Sequence, residues 1–449
     1  MNIIPKALAT AALILTANLT AAPQLSFSGN SKPVITEKPE ASTGLKEVYV
    51  VRDAIGVRVS YTASSAASDI AWKRFSSLGG GFAEDIPFTK EGAVTSVSLT
   101  NEDMGYIVEE DGRQNCFYIV NYSNHECSLE ALDISPESDC QNTLLILHGN
   151  ADRINYYTVS GAARQLSRGL QLEYNTLEYN ADNLSYQPVQ ATEEIQYVSS
   201  QIHCQAPLRD TEFHLSGDRF QRQWGELQQV VSPMFPTNAI AATTTASQGE
   251  RDAENEQKPT GDEASLGGSA PAIITFSAAT TDAVVFREWQ FARDDQFDLI
   301  DLRVNEDEVT HTFTDYGTTY VRFVCGNAAG SCDYTSETYT VYIGESRLEC
   351  PNAFSPNDDG VNDEWRVSYK SIVSFDCHIY NRWGLEMAHL SDPSQGWDGR
   401  YNGKKVQPGV YYYVIKAEGA DGKHYKKSGD INIVGYSQRT GASTTPSEP

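Results

Sequence analysis

Alternation of apolar and polar residues recurs along most of the chain, and this period of two is typical of half-buried β-strands. In residues 57–62, for example, Val57, Val59 and Tyr61 would share one face of a strand. The same pattern, or a short apolar run, predicts strands at 57–62, 70–75, 116–122, 143–148, 154–159, 273–276, 284–291, 309–313, 320–325 and 339–343. The leucines of residues 165–179 fit either a helical or a strand period. The pattern therefore predicts an all-β protein made of tandem β-sandwiches.

Polar stretches divide the chain into segments. Residues 23–44 are rich in Pro, Ser and Thr and predict a spacer, whereas residues 248–268 are acidic without an apolar face and predict a disordered insertion. The predicted segments are a signal peptide at 1–22, the spacer at 23–44, an Ig-like domain at 45–125, a second sandwich at 126–226, a third at 227–346, a small C-terminal domain at 347–436 and a polar tail at 437–449.

The first residues predict a secretory signal peptide. Lys6 supplies a positive charge, residues 7–17 form a short apolar run, and small residues follow at 20–22, where we expect cleavage. The run is shorter than the stretch of about 20 apolar residues that a membrane span needs, and the later sequence has no such stretch. We therefore expect export through the periplasm and no transmembrane segment in the mature chain.

Composition and charge agree with an exported β protein. Of the 449 residues 40% are hydrophobic, and the 24 tyrosines suit the half-buried face of a sheet. The formal net charge of −26 repels nucleic-acid phosphates, so a nucleic-acid partner is not expected.

The eight cysteines form an even number, which in an oxidising compartment predicts disulfides. No C-x-x-C pair supports the competing interpretation of a zinc site. The spacing of Cys140 and Cys204 suits a bridge between two sheets, and Cys325 and Cys332 flank a turn that a bridge would staple. The full set of disulfide candidates is Cys116, Cys127, Cys140, Cys204, Cys325, Cys332, Cys350 and Cys377. Their connectivity stays open.

Two of the predicted sandwiches resemble known modules. Trp72 stands in an early strand, where an immunoglobulin-like sandwich places a core tryptophan, and residues 101–106 resemble a tyrosine corner that is one residue short. In the third sandwich Trp289, residues 316–321 and the turn at 327–330 follow the order of PKD-type Ig-like domains. These resemblances imply Ig-like and PKD-like domains.

The C-terminal segment carries a denser set of motifs. The runs are 351–363, 380–384, 397–399, 408–413 and 427–431. Their defining residues are Pro351, Asn352, Phe354, Pro356, Asn357, Gly360, Asn362, Asp363, Arg382, Trp383, Gly384, Trp397, Asp398, Gly399, Gly409 and Tyr411. This combination closely resembles the gliding motility-associated C-terminal domain, the type B sorting domain of the Bacteroidetes type IX secretion system.

The resemblance implies a small β-sandwich that the outer-membrane translocon of that system recognises, with the cargo released or held at the cell surface. In this domain we expect Trp383 and Trp397 to be core aromatics beside turn residues. We also expect Cys350 and Cys377 to tie the first strand to a later one. The polar tail at 437–449 departs from the family, whose members usually stop near the last strand.

Candidate chemistry is sparse. Asn357, Asp359 and Asp363 offer oxygens for calcium, but an EF-hand alignment puts Arg366 where a bidentate Glu is required, so a turn is the preferred interpretation. The segment at His148 resembles a hydrolase oxyanion loop, yet no G-x-S-x-G motif accompanies it. We expect no catalytic residue and no cofactor.

The sequence thus predicts a secreted or cell-surface binding protein, with adhesion to an unknown surface or host ligand as its role. Two alternatives stay open. One is a secreted hydrolase with its catalytic residues in 45–225, and the other is a structural component of the gliding or secretion apparatus.

Overall fold

The computed structural model describes residues 25–77, 83–150, 152–196, 200–250, 253–257 and 266–435. These residues form successive β units, and the prediction of an all-β fold is confirmed. Among them, no helix is of the length and apolarity that a membrane crossing needs. The predicted signal peptide at 1–22 and the polar tail at 437–449 lie outside the described residues.

The first unit is a two-sheet sandwich. One sheet has the order β1-β4-β8-β7 and the other β2-β3-β10-β9-β5-β6. Its strands are β1 (Leu25–Ser28), β2 (Ile35–Glu37), β3 (Glu47–Val51), β4 (Arg58–Thr62), β5 (Ile70–Phe75), β6 (Glu84–Asp85), β7 (Thr89–Glu91), β8 (Val94–Ser98), β9 (Met104–Glu110) and β10 (Arg113–Asn121). Trp72 is buried between the sheets and donates to Thr95 Oγ1 at 3.0 Å, so its predicted core position is confirmed.

The prediction of a spacer at 23–44 is wrong for much of that segment. Leu25 lies opposite Tyr61 in an antiparallel pair, and Ile35 lies opposite Val50. Each added strand covers an edge of one sheet. The scattered prolines concealed this, because they interrupt the alternation that marks a strand.

Glu110 is a buried carboxylate at the end of this sandwich. Its oxygens accept hydrogen bonds from the Ser64 hydroxyl and backbone N–H, each at 2.6 Å, and from the Tyr61 hydroxyl at 2.7 Å. Because these donors favour the ionised form, the pKa of Glu110 falls from 4.5 to about 2. The ionised carboxylate therefore joins two strands and the loop that holds Ser64.

We expect Glu110→Gln to be less stable than the wild type at pH 7, because the amide cannot accept from all three donors. The folded-state pKa is below the unfolded value, so the stabilisation is present above pH 4.5 and is lost as the pH falls towards 2. Urea unfolding at a series of pH values should therefore show a gap between the two proteins that narrows below pH 4.5. A gap that stays constant down to pH 2 would contradict this account.

The second unit contains sheets of order β11-β12-β17 and β16-β15-β18-β19, with the hairpin β13-β14. Its elements are β11 (Ser128–Ile134), β12 (Asn142–Asn150), β13 (Ile154–Tyr157), β14 (Ala163–Leu166), β15 (Leu170–Asn180), β16 (Ser185–Ile195), β17 (Gln201–Gln205), β18 (His214–Ser216), helix α1 (Arg219–Trp224) and β19 (Gln229–Val231). The ambiguous leucines at 165–179 thus belong to strands. The predicted boundary at 226 is too early, because Val230 pairs with Leu215.

The first two units share a continuous apolar core. The outer face of the sheet that holds β10 packs on the β13-β14 hairpin and on α1. The Tyr118 ring lies 6.3 Å from the Tyr156 ring, between centroids, in a tilted arrangement, and Tyr122 meets Trp224 edge-on at 5.0 Å. Since both faces of this sheet are covered, residues 48–51 form an uninterrupted buried run rather than an alternating one.

A buried ion pair lies within this shared core. Arg168 is 1% exposed and Asp218 is fully buried, and their side chains meet at 2.8 Å. Asp218 also accepts from the Tyr122 hydroxyl at 3.0 Å and caps α1 by accepting from the backbone N–H of Gln221. The other guanidinium nitrogens donate to the Asp152 carbonyl. Every charged atom of the pair thus has a partner, as buried charges require.

The third unit packs the sheet β20-β22-β25 on the sheet β21-β28-β26-β23-β24, with β27 beside β26. Its strands are β20 (Ala242–Gln248), β21 (Gly267–Gly268), β22 (Ala272–Thr280), β23 (Val284–Ala292), β24 (Ile300–Val304), β25 (Glu308–Phe313), β26 (Gly317–Asn327), β27 (Asp333–Thr335) and β28 (Tyr339–Ile343). Trp289 lies at the centre of the core, 5.0 Å from the ring of Phe323. The PKD-type character of this sandwich stays a prediction.

Part of the predicted disordered insertion at 248–268 is bound to the C-terminal unit. Gln257 donates its backbone N–H to Tyr369 at 2.7 Å, and the Asn255 side chain donates to the carbonyls of Val367 and Pro393. Gly267 and Gly268 form β21. The prediction of disorder is therefore wrong for these residues, because hydrogen bonds to the C-terminal unit hold 253–257 and pairing with β28 of the third unit holds 267–268.

The disulfide pattern also differs from the predicted one. Cys140 is bonded to Cys332, with 5.7 Å between their Cα atoms and 192 residues between them in sequence. The predicted pairings Cys140–Cys204 and Cys325–Cys332 are therefore wrong. The other cysteines, all within the described residues, are thiols: Cys116, Cys127, Cys204, Cys325, Cys350 and Cys377. The bridge joins the second unit to the third, which local spacing does not reveal.

The fourth unit is a small sandwich at the end of the described chain. Its main sheet has the order β30-β37-β36-β32-β33, with the pairs β29-β31 and β34-β35. The strands are β29 (Arg347–Glu349), β30 (Ala353–Phe354), β31 (Ser368–Lys370), β32 (Ile372–Tyr380), β33 (Glu386–Leu390), β34 (Arg400–Tyr401), β35 (Lys404–Lys405), β36 (Gly409–Gly419) and β37 (His424–Ile433).

Candidate functional site

Three aromatic motif residues of the fourth unit converge on one corner. Phe354 enters from β30, Tyr411 from β36 and Trp397 from the loop before β34, and all three are buried. The Trp397 ring lies 5.6 Å from Phe354 and 5.1 Å from Tyr411, between ring centroids. Motifs separated by more than forty residues are therefore one packed cluster, and the predicted core position of Trp397 is confirmed.

Trp365 completes this corner and was not among the predicted residues. It is fully buried, its indole donates to the Pro351 carbonyl at 2.7 Å, and its backbone exchanges two hydrogen bonds with Trp397. A signal for it existed in the sequence, since an isolated tryptophan follows the polar run 357–364 directly.

Gly399 is needed where the chain passes closest to this corner. Its φ is +68°, and a Cβ at this position would lie 3.0 Å from Pro356 Cγ and 3.3 Å from the Phe354 ring. Both the backbone conformation and the lack of space exclude larger residues. Pro356 and Gly399 thus belong to the same contact although they lie in different motifs.

The residues considered for calcium form a self-contained turn. Asp363 accepts from the backbone N–H groups of Asp358 and Gly360, each at 2.7 Å, and Asp359 accepts from the side chain of Asn357 and from the backbone of Val361. Asp358 is bound by Lys405 at 2.7 Å, and this cation lowers the pKa of the Asp358 carboxyl. The oxygens that calcium would take accept protein hydrogen bonds, which favours the turn interpretation.

Arg382 and Trp383 form an exposed tip at the turn between β32 and β33. The Trp383 side chain is 75% exposed, so its predicted place in the core is wrong. The Arg382 guanidinium lies 4.2 Å from the centre of its ring, a cation–π contact. Gly384 has a φ of +79°, and Asn381 accepts from the backbone of Trp383 and Leu385. The turn thus presents a large aromatic side chain to solvent.

The remaining motif residues shape the backbone of the unit. Asn352 accepts from the backbone and side chain of Asn432, and these bonds extend the pairing of β30 with the last strand, β37. Asp398 caps the turn before Arg400, and Gly409 opens β36. Cys350 and Cys377 are thiols, so the predicted bridge between them is wrong. Burial raises the pKa of the Cys377 thiol to about 12.

Two family models match parts of the chain. The CHU_C type IX secretion signal domain matches residues 348–433, and the Fn3_FA fibronectin type III domain matches residues 133–232. The first match confirms the resemblance drawn from the C-terminal motifs. The second match covers most of the second unit, and it agrees with the predicted fold of tandem β-sandwiches. Neither of these families is catalytic.

A search among curated proteins finds no relative of significant similarity. Among solved structures, a tetra-tandem repeat in the extending region of a large adhesion protein has 11% identity over 85% of this chain and 96% of that chain, with a TM-score of 0.22. The FN1–FN3 domains of chicken CNTN1 have 11% identity over 69% of this chain and 99% of that chain, with a TM-score of 0.21. Dimeric latent PorU from Porphyromonas gingivalis has 10% identity over 72% of this chain and 36% of that chain, with a TM-score of 0.16. At these TM-scores the three structures support no conclusion about this chain.

Proposed function

We propose that this chain, which carries a type IX secretion signal domain at residues 348–433, is an adhesin that acts at the outer surface of the cell. The signal domain implies handling by the type IX secretion machinery and export to the cell surface or beyond. The units before it would be the cargo, and they would bind a partner on another surface rather than transform a substrate.

The observation that carries the proposal is the combination of this C-terminal signal with closely packed sandwiches. The units before it have filled apolar cores, centred for example on Trp72 and Trp289. A shared apolar core joins the first unit to the second, and the Cys140–Cys332 bridge joins the second unit covalently to the third. Such a joined array suits a protein that transmits force between a cell and its substratum.

Attachment of cells tests this proposal. In a bacterium that has a type IX system, we expect deletion of the gene to reduce attachment to a coated surface and the full chain to restore it. A chain that lacks residues 348–449 should be retained in the periplasm and should not restore attachment. As the matched control, a chain that lacks only residues 436–449 should be exported normally.

Different results would contradict the two parts of the proposal, export through the C-terminal signal and adhesion by the preceding units. Surface labelling of the chain that lacks 348–449 would show that the signal lies elsewhere. Unchanged attachment of the gene-deletion strain, with the full chain present on wild-type cells, would remove the adhesive role while leaving export intact.

A further inference from the structure

Two histidines and an aspartate meet on the outer face of the main sheet of the fourth unit. Asp376 and His378 lie two residues apart on β32, so they share a face, and His389 on the edge strand β33 lies directly opposite His378. This face points away from the aromatic corner, and none of the three residues belongs to the motifs of the signal domain.

The donor atoms of the three side chains are close together. Asp376 Oδ1 lies 2.7 Å from His389 Nε2 and 3.2 Å from His378 Nε2, and all the donor atoms lie within 4.8 Å of one another. The two imidazole rings are stacked, with centroids 4.3 Å apart and planes 5° apart. Ligands about 2.0–2.2 Å from a tetrahedral ion lie about 3.3 Å from each other. The spacing between Asp376 and His378 is therefore near that of two ligands on one ion, and the shorter hydrogen-bonded contact between Asp376 and His389 would open slightly on binding.

Glu386 orients one of these ligands from behind. Its Oε2 lies 3.0 Å from His378 Nδ1, so it accepts a hydrogen bond from that nitrogen, and the lone pair of Nε2 is left for a ligand role. A carboxylate behind a histidine is the usual outer partner of a metal-bound imidazole.

We propose that Asp376, His378 and His389 form a binding site for a divalent late transition metal, with Zn²⁺ as its first occupant. Two imidazole nitrogens and one carboxylate suit Zn²⁺, Ni²⁺ or Cu²⁺, whereas Ca²⁺ and Mg²⁺ prefer oxygen ligands alone. The side chains are 31–48% exposed, so water completes the coordination. Bringing both Nε2 atoms onto one ion requires the rings to rotate out of their stack, which their exposure allows.

The site would strengthen the edge of the sheet. His389 is on β33, which pairs with β32 alone among the described strands of this sheet, while His378 and Asp376 are on β32. An ion that binds all three cross-links the two strands through side chains. Loss of the ion should therefore affect β33 before the aromatic corner.

Titration of the untagged full chain with Zn²⁺ tests the proposal, with Co²⁺ absorption spectra as a second readout. We expect one ion per chain at this site, lost in His378→Ala and in His389→Ala, and about tenfold or more weaker binding in Glu386→Gln. His148→Ala is the matched control, because His148 forms an exposed pair with Asp133 and belongs to no such cluster among the described residues. Its Zn²⁺ binding should equal that of the wild type.

Circular dichroism spectra recorded without metal show whether the variants are folded. Because the substituted side chains are partly exposed, each variant should retain the wild-type spectrum. Wild-type Zn²⁺ affinity in both histidine variants would overturn the proposal. So would a Co²⁺ spectrum of the wild-type protein that is unchanged by His378→Ala and His389→Ala, because it would assign the bound ion to other ligands.

Discussion

Replacing Asp218 by Ala is expected to lower the free energy of unfolding by about 3–5 kcal/mol, because it leaves the Arg168 guanidinium buried without its counter-ion. The substitution also removes the cap of α1 and the acceptor of the Tyr122 hydroxyl. Burial and the neighbouring carboxylate raise the pKa of Tyr122, so this hydroxyl stays a donor that needs an acceptor. Urea unfolding followed by tryptophan fluorescence measures the loss, since Trp224 packs on Tyr122.

The matched control is Asp133→Ala, which breaks the exposed contact between Asp133 and His148. We expect this change to shift the free energy of unfolding by about 1 kcal/mol or less, as exposed ion pairs contribute little. The double variant Arg168→Met/Asp218→Leu should recover much of the loss, because it removes both charges. Equal losses in Asp218→Ala and Asp133→Ala would show that the buried pair does not hold the first two units together.

Strands with one solvated face were predictable from the sequence, and strands with two covered faces were less so. In β26, Val321, Phe323 and Cys325 alternate with more exposed residues, and the observed burial follows that period. In β3 four successive residues from Val48 are buried, because α1 and the β13-β14 hairpin cover the second face. A continuous apolar run does not reveal what covers it.

Contacts between segments that lie far apart in the sequence were also beyond prediction, for a related reason. The strands β1 and β2 and the segment 253–257 are held by backbone pairing with distant partners. Backbone hydrogen bonds leave little trace in side-chain identity, so polar sequences of this kind resemble linkers. The same applies to Cys140, whose partner lies 192 residues away.

The C-terminal motifs identified the signal domain, but they did not give the role of each residue. Tryptophan is most often a core residue, and Trp397 and Trp365 obey this rule. Trp383 does not, because a tight turn between two antiparallel strands points it outward, where the Arg382 guanidinium lies over one face of its ring. The metal-binding cluster escaped detection because Asp376, His378 and His389 converge only through the register of β32 and β33.

The double substitution Cys140→Ser/Cys332→Ala is expected to lower the free energy of unfolding of the second and third units by about 2–4 kcal/mol, because the bridge closes a long loop in the unfolded chain. Cys325→Ala removes a thiol from the same unit without removing a bridge, and we expect it to cost about 1 kcal/mol. Adding a reductant should destabilise the wild type and leave the double variant unchanged. Peptide mapping without reduction decides the connectivity directly: a fragment that joins Cys140 to Cys332 is expected, and one that joins Cys325 to Cys332 would contradict the link between the two units.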